Sequence, residues 1–134
     1  MDSAGLEVLS EEECLRLLAK VPVGRIVFTD RALPAVQPVA FAVDGQSVFI
    51  LTSPRSRLAL AATGTVVAFE ADEFSGTLVR SGWSVVAVGQ ARRVVRETEL
   101  AQARRLGLRP WAPDAQEYYL QIGIEIISGR RLLG

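Results

Sequence analysis

Histidine is absent from this 134-residue sequence, and lysine, methionine and cysteine occur once each. Without histidine, the chain cannot form a Ser-His or Cys-His nucleophile pair, nor a zinc, iron or haem site with a histidine ligand. The single cysteine, Cys14, excludes an intrachain disulfide, and its position among leucines at helical spacing indicates a small core residue. We therefore expect no metal site, and if the protein is an enzyme, we expect a cofactor to supply the reactive group.

Long apolar runs and net charge are also absent. No apolar run approaches the ~20 residues that a membrane-spanning helix needs, and the N-terminus has no basic segment followed by an apolar one. The formal net charge is zero, so the overall charge does not favour nucleic acid or an anionic membrane surface. We expect a cytoplasmic protein with no nucleic-acid or membrane partner, and a single domain over residues 1–134, of which residues 1–8 are flexible.

The pattern of apolar residues predicts a mainly β fold with a few helices. Strands are expected at residues 24–29, 35–43, 47–52, 65–71, 82–95 and 118–127. Helices are expected at residues 10–20, between the third strand and residue 62, and at residues 97–106. Hairpin-linked early strands predict an α+β protein whose antiparallel sheet closes into a small barrel with short peripheral helices.

Two positions and one segment refine this prediction. Pro38 stands in the middle of the second strand and cannot donate to a ladder, so we expect an edge or a bulge there. Gly89 predicts a bend or bulge in the fifth strand. Residues 72–81 are expected to form a loop.

Hydroxyl and guanidinium groups cluster directly after the third strand. Within six residues stand Thr52, Ser53, Arg55, Ser56 and Arg57. Either serine can cap the following helix, and hydroxyls and arginines at a helix start suit an anion such as a phosphate monoester. A plain helix cap with solvated arginines fits the same residues, so the residues alone leave both interpretations open.

Three further features each allow more than one interpretation. The strand around Pro38 could bind the edge of a flat heterocycle through its backbone, or it could be an ordinary edge strand. Trp83 could stack on a ligand, seal a subunit contact or fill the core. Glu70 and Asp72 alternate on a strand and could form an acid-base pair, but solvated charges at a strand end are the better interpretation.

Together these segments resemble a known family, the pyridoxamine 5′-phosphate oxidase-like, FMN-binding split-barrel proteins. The resemblance is strongest to the small bacterial branch that includes nitroimidazole-reductase-like members. It rests on an ordered set of segments: LLAKVPVGRIVFTD, LPAVQPVAFAVDG, ILTSPRSRLALAA, VVAFEADEF and GWSVVAVGQARRV, with SGRRL near the end. The set extends over residues 9–132, nearly the whole chain.

The resemblance implies a homodimer of six-stranded Greek-key split barrels with FMN in grooves between the protomers. Thr52, Ser56 and Arg57 fall on the positions that hold the flavin phosphate in oxidase relatives. Leu58 stands where the oxidases often have a second basic residue, and Arg55 would substitute for it. The ring would lie along four residues of the second strand: Gln37, Pro38, Val39 and Ala40. Two residues would approach it from the partner: Trp83 and Ser84.

The same resemblance limits the expected activity. The true oxidase needs a histidine and an arginine near its C-terminus, and this chain has no histidine, so oxidation of vitamin B6 is not expected. We expect an FMN-dependent oxidoreductase that uses a small-molecule electron donor and acceptor, with no assigned catalytic residue. The alternatives are a reductase that uses a deazaflavin coenzyme, a non-catalytic flavin carrier or sensor, and a structural dimer with an empty groove.

Overall fold

The computed structural model describes residue 2 and residues 5–76, 81–110 and 116–132. Within these residues the chain forms seven strands and three helices. The strands are β1 (Glu7–Val8), β2 (Val23–Asp30), β3 (Leu33–Asp44), β4 (Ser47–Thr52), β5 (Val66–Ser75), β6 (Ser81–Arg93) and β7 (Tyr118–Leu132). The helices are α1 (Glu11–Leu18), α2 (Arg57–Ala62) and α3 (Glu97–Arg104).

The six long strands close into a barrel. The strand order is β1-β7-β4-β3-β2-β5-β6, all neighbours are antiparallel, and β6 also pairs with β7, which joins the two ends of the sheet. Strands β2, β3 and β4 follow one another, and β5 returns to lie beside β2, which is a Greek-key connection. The prediction of a six-stranded antiparallel Greek-key barrel with short helices is confirmed, with the two-residue β1 added against β7.

The core fills the inside of this barrel because each strand alternates its side chains between the two faces. On β6, for example, Trp83, Val85 and Ala87 are buried while Val86 is exposed. Phe69 on β5 is fully buried, and its ring lies edge-to-face against Phe41 with the centroids 4.6 Å apart. A smaller apolar cluster lies under α3 and contains Phe49, Val94, Ala103 and Tyr119.

The bulge expected at Gly89 is present. The pairing of β6 with β7 shifts register between Val88 and Gly89. A Cβ at Gly89 would lie 1.9 Å from the carbonyl oxygen of Gly123. The two backbones can therefore approach this closely only when residue 89 has no side chain.

The sequence interpretation ended two strands, β5 and β7, too early. Residues 72–75 and 81 belong to strands, since Asp72 pairs with Ser84 and Ser75 with Ser81, whereas residues 77–80 lie outside the described part of the predicted loop. Strand β7 runs on to Leu132 rather than ending at residue 127. Its Gly129 packs against α1, where an added Cβ would lie 2.8 Å from the Cys14 sulfur, so this glycine serves close packing and does not end the strand. The expected flexible N-terminus includes β1, which pairs with Arg130 and Arg131.

Candidate functional site

The N-terminal part of β3 forms one side of an open sheet edge. Residues 33–40 pair with β2, but β4 pairs with β3 only from Phe41 to Asp44. The Phe41 N–H donates to the Pro22 carbonyl on the β2 side. Because backbone groups alternate in direction along a strand, those of Val36, Pro38 and Ala40 face the open edge. Pro38 thus lies at an edge, as the sequence predicted.

The hydroxyl cluster lies where β4 leaves this edge. Counting on from the last pair, Phe41 with Ile50, brings Thr52 level with Val39. The Thr52 hydroxyl donates to the Ser56 Oγ at 2.8 Å, and that oxygen accepts from the Ala59 N–H at 3.0 Å. Ser56 is therefore the N-cap of α2. The hydroxyls therefore lie at the corner of the barrel where β4 separates from β3.

A polar cleft extends from the same corner to the tip of the β2–β3 hairpin. Its volume is about 540 Å³. It is lined by Thr29, Asp30, Arg31, Arg55, Arg57, Leu60 and Ala61. The charged lining therefore comprises three guanidinium groups and one carboxylate, a net charge of +2. An arrangement of this kind suits an anionic ligand with two negative charges.

The predicted anion ligands occupy different parts of this corner. Arg57 donates from Nη1 to Asp30 Oδ2 at 2.9 Å, which holds its guanidinium over the cleft. Arg55 lines this cleft and also a smaller one of about 200 Å³, which it shares with Ser53, Pro54 and Gln116. The structure thus brings Thr52, Ser56, Arg55 and Arg57 to one corner, with Ser53 on the side of the smaller cleft.

Of the two residues expected to reach the ring from a partner, one is in the core. Trp83 is only 6% exposed and packs among the barrel's core residues, because odd-numbered residues of β6 face inward. Its indole therefore has no free face for a ligand, and the interpretation as a core tryptophan, left open by the sequence, is the one that fits. Ser84 faces outward beside Asp72 and Arg130, its neighbours in register.

The outer face of the barrel carries an apolar row that crosses five strands. Its members are neighbours in register, from the open edge to β7: Val36, Val27, Ala68, Val88 and Ile126. The two end members, Val36 and Ile126, are 63% and 64% exposed. A contiguous apolar row of this kind on a folded chain marks an interaction surface.

A charged group lies beside this row. Arg25 donates from Nη1 to Glu70 Oε1 at 2.9 Å and to Asp72 Oδ2 at 3.4 Å. Burial, followed by the hydrogen bond and the charge of Asp72, raises the pKa of Glu70 to about 7, although Arg25 opposes the shift. Glu70 and Asp72 are therefore not simply solvated, as the sequence suggested, but are half-buried and bound to Arg25.

Glu70 gives a testable pH dependence. Because its pKa is higher in the folded state, its contribution to stability is complete below its ordinary pKa of 4.5 and is lost as the pH rises through about 7. We expect the free energy of unfolding of wild type to fall relative to that of Glu70→Gln between pH 5 and pH 8. Urea unfolding at both pH values measures this, with Glu73→Gln, an exposed position on the same strand, as control. An equal difference at both pH values would contradict the shift.

Sequence reasoning missed two members of the site. Asp30 and Arg31 line the cleft, but in the sequence they are only the end of a strand and the start of a turn. The turn itself has no glycine signal, although Arg31 and Ala32 both have positive φ values, 53° and 66°. Only the packing of α2 against β2 brings Arg31 opposite the arginines that follow β4.

The described residues contain neither a cluster of metal ligands nor a membrane-spanning helix. Among the described residues, no group of three histidine, cysteine, aspartate or glutamate residues is arranged to hold a metal ion. Within the same residues, no helix has the length and apolar character needed to cross a membrane.

Comparisons with known proteins agree with this geometry. Residues 10–131 match the sequence profile of the pyridoxamine 5′-phosphate oxidase family. An uncharacterized protein of Mycobacterium tuberculosis is 38% identical over 130 residues, which cover 93% of this chain and 84% of that protein. The structure of the FAD binding protein from Mycobacterium smegmatis superposes with a TM-score of 0.83 at 35% identity and covers 95% of this chain and 98% of its own. An FAD-binding protein from Mesorhizobium loti shares the fold, with a TM-score of 0.75 at 22% identity over 95% of this chain and 98% of its own.

Proposed function

This chain belongs to the pyridoxamine 5′-phosphate oxidase family, and we propose on that premise that it binds a flavin nucleotide and acts as an oxidoreductase. The flavin phosphate would lie against Thr52, Ser56 and Arg57, with Arg55 beside it. The ring would lie along Gln37 to Ala40. A bound flavin supplies the redox chemistry by accepting and passing on electrons.

One observation supports this proposal above the others: the open edge of β3 starts at the β2–β3 hairpin, and the tip of that hairpin lines the cationic cleft. A flavin nucleotide needs a flat platform with hydrogen-bonding groups for its ring and an anion site for its phosphate. The backbone of Val36, Pro38 and Ala40 faces the open edge, and Arg57 stands at the mouth of the cleft. The FAD binding protein from M. smegmatis, at 35% identity, gives further support for a flavin ligand.

The chain's own part in the reaction is to bind and orient the ligand. The backbone N–H groups of Val36 and Ala40 can donate to the ring, whereas Pro34 and Pro38 cannot donate. Fixed donors of this kind stabilise negative charge that develops on the ring edge. The side chains that face the ring would be those of β3, and none of Gln37 to Ala40 carries an ionisable group. We therefore assign no catalytic residue, and a proton would come from solvent through the open groove.

We further propose that two chains pair through the apolar row on the outer face, which completes the flavin groove. The row ends at Val36, next to the proposed ring site, so a partner that covers it would also cover the ring. The charged group of Arg25, Glu70 and Asp72 beside the row offers both signs of charge to a symmetric partner.

Ile126→Arg tests this pairing. We expect it to weaken self-association at least about 100-fold, because an unpaired charge would be buried in the interface. Val95→Arg is the matched control, since Val95 is exposed to the same extent as Ile126, 64%, but lies outside the row. Sedimentation velocity measures the change. A monomeric wild type, or equal behaviour of both variants, would contradict the pairing.

The ligand itself is tested by the visible absorption of the purified protein and by mass analysis of what heat releases. We expect a flavin spectrum and a released flavin nucleotide, FMN or FAD; a released deazaflavin coenzyme would support the alternative reductase. Turnover with a nicotinamide donor and an artificial acceptor separates an oxidoreductase from a flavin carrier. A colourless protein that binds no added flavin would contradict the proposal.

A further inference from the structure

The cleft at the hairpin tip is larger than one phosphate group requires. We infer that it holds the second phosphate of a flavin dinucleotide, bound by Arg55 and Arg31, and that Arg31, which is remote from the first phosphate, selects the dinucleotide over FMN. This inference rests on the proposed flavin site and adds to it a ligand class and a specificity residue.

Arg57 connects the proposed site of the first phosphate with the cleft. Arg57 directly follows the cap Ser56, so it adjoins the proposed first phosphate, and it also lines the cleft. Thr52 does not line the cleft. The cleft of about 540 Å³ therefore begins at the first phosphate and continues toward Arg31, within the size range of small-ligand pockets.

The charges in the cleft fit a diphosphate. Arg57 is paired with Asp30 at 2.9 Å. Within the described part of the chain, neither Arg31 nor Arg55 forms a salt bridge. Two guanidinium groups are thus open to a second anion in the same cleft, and guanidinium groups can bind phosphate oxygens through two parallel hydrogen bonds. A diphosphate diester carries two negative charges, which matches the net lining charge of +2.

The backbone at Arg31 supports a role beyond the turn. Arg31 and Ala32 both adopt the left-handed conformation, with φ of 53° and 66°, and these are the non-glycine residues with positive φ in the described chain. A two-residue hairpin of this kind favours Asn-Gly, so arginine and alanine are unfavourable residues at these two positions. An arginine in such a position over a cationic cleft points to a binding role.

Room for the rest of a dinucleotide lies on the other side of Arg55. The smaller cleft of about 200 Å³ is lined by Ser53, Pro54, Arg55 and Gln116. Because Arg55 lines both clefts, a ligand that passes it can extend from the diphosphate into this second space.

Separate titrations with FMN and with FAD test the inference. Flavin-free protein is titrated with FMN and with FAD, and binding is followed by the quenching of flavin fluorescence. For wild type we expect FAD to bind about tenfold more tightly than FMN. Arg31→Ala should remove about this tenfold preference, because one charged hydrogen bond at a partly solvated site is lost, and should leave FMN affinity within about twofold.

Two further variants separate binding from folding. Arg31→Gly removes the same cation but suits the left-handed turn, so it should lose the FAD preference without loss of thermal stability. Arg105→Ala removes an exposed arginine outside the cleft and should keep the wild-type ratio. A wild type that prefers FMN, or an FAD preference unchanged in both Arg31 variants, would overturn the inference while the flavin site itself stands. A wild type that binds neither flavin would overturn both.

Discussion

Replacing Arg57 by alanine is expected to weaken FMN binding by about 10- to 100-fold, the largest functional effect of a single substitution at this site. A hydrogen bond between charged groups contributes about 1.5–3 kcal/mol, and the guanidinium of Arg57 is held at the cleft by its contact with Asp30 at 2.9 Å. Since Arg57 is exposed at the start of α2, its removal should leave the fold intact. Titration of flavin-free protein, followed by flavin fluorescence, measures the loss.

Riboflavin provides the control ligand for this prediction. It has the ring of FMN but no phosphate, so its affinity should change less than about twofold in Arg57→Ala. Arg57→Lys keeps the charge but not the planar fork, and should show an intermediate loss. Arg105→Ala should behave like wild type. If Arg57→Ala weakened FMN and riboflavin equally, the residue would not be binding the phosphate.

Replacing Phe69 by alanine is expected to lower the free energy of unfolding by about 3–5 kcal/mol, the largest effect on stability that we predict. Phe69 is fully buried at the centre of the barrel and lies 4.6 Å from the Phe41 ring, centroid to centroid. It also fills the space over Gly24, where an added Cβ would lie 2.4 Å from its Cζ. Strands β2 and β6 are hydrogen-bonded to β5 on its two sides, so the barrel cannot contract into the space that the missing ring leaves.

Urea unfolding measures this loss, and Phe74 on the same strand provides the control. Phe74 is 49% exposed, so Phe74→Ala should cost less than about 1 kcal/mol. The void at position 69 also lies behind Ala68 and Glu70, which face the proposed interface. Phe69→Ala should therefore loosen self-association as well. A similar cost for both variants would mean that the core is not centred on Phe69.

Local signals in the sequence were enough to predict the strands, the first helix and the bulge. The pattern of apolar residues and Gly89 each act through neighbouring residues, so they can be interpreted without knowledge of the fold. The ends of β5 and β7 could not be read in this way. Charged residues at 72 and 73 interrupt the apolar pattern of a strand that continues, and Gly129 looks like a strand end although it packs against Cys14.

The parts of the candidate site that depend on register could not be predicted from the residues alone. The apolar row becomes visible only when five strands are aligned, since each strand contributes one member. The same holds for Glu70, whose pKa depends on burial, on its strand neighbour Asp72 and on Arg25, which only the pairing of β2 with β5 brings beside it. The role of Trp83 was ambiguous because the face of the sheet on which its side chain lies depends on the register of β6. Thr52, Ser56 and Arg57 could be predicted as phosphate ligands from the sequence because they are close together in the chain.

A crystal structure of the protein with FMN would show whether the flavin phosphate binds where β4 passes into α2. We expect phosphate oxygens within hydrogen-bonding distance of the Thr52 hydroxyl and the Arg57 guanidinium, with the ring along residues 37–40 of β3. A flavin whose phosphate lies away from Thr52 and Arg57, or whose ring lies elsewhere on the barrel, would contradict it.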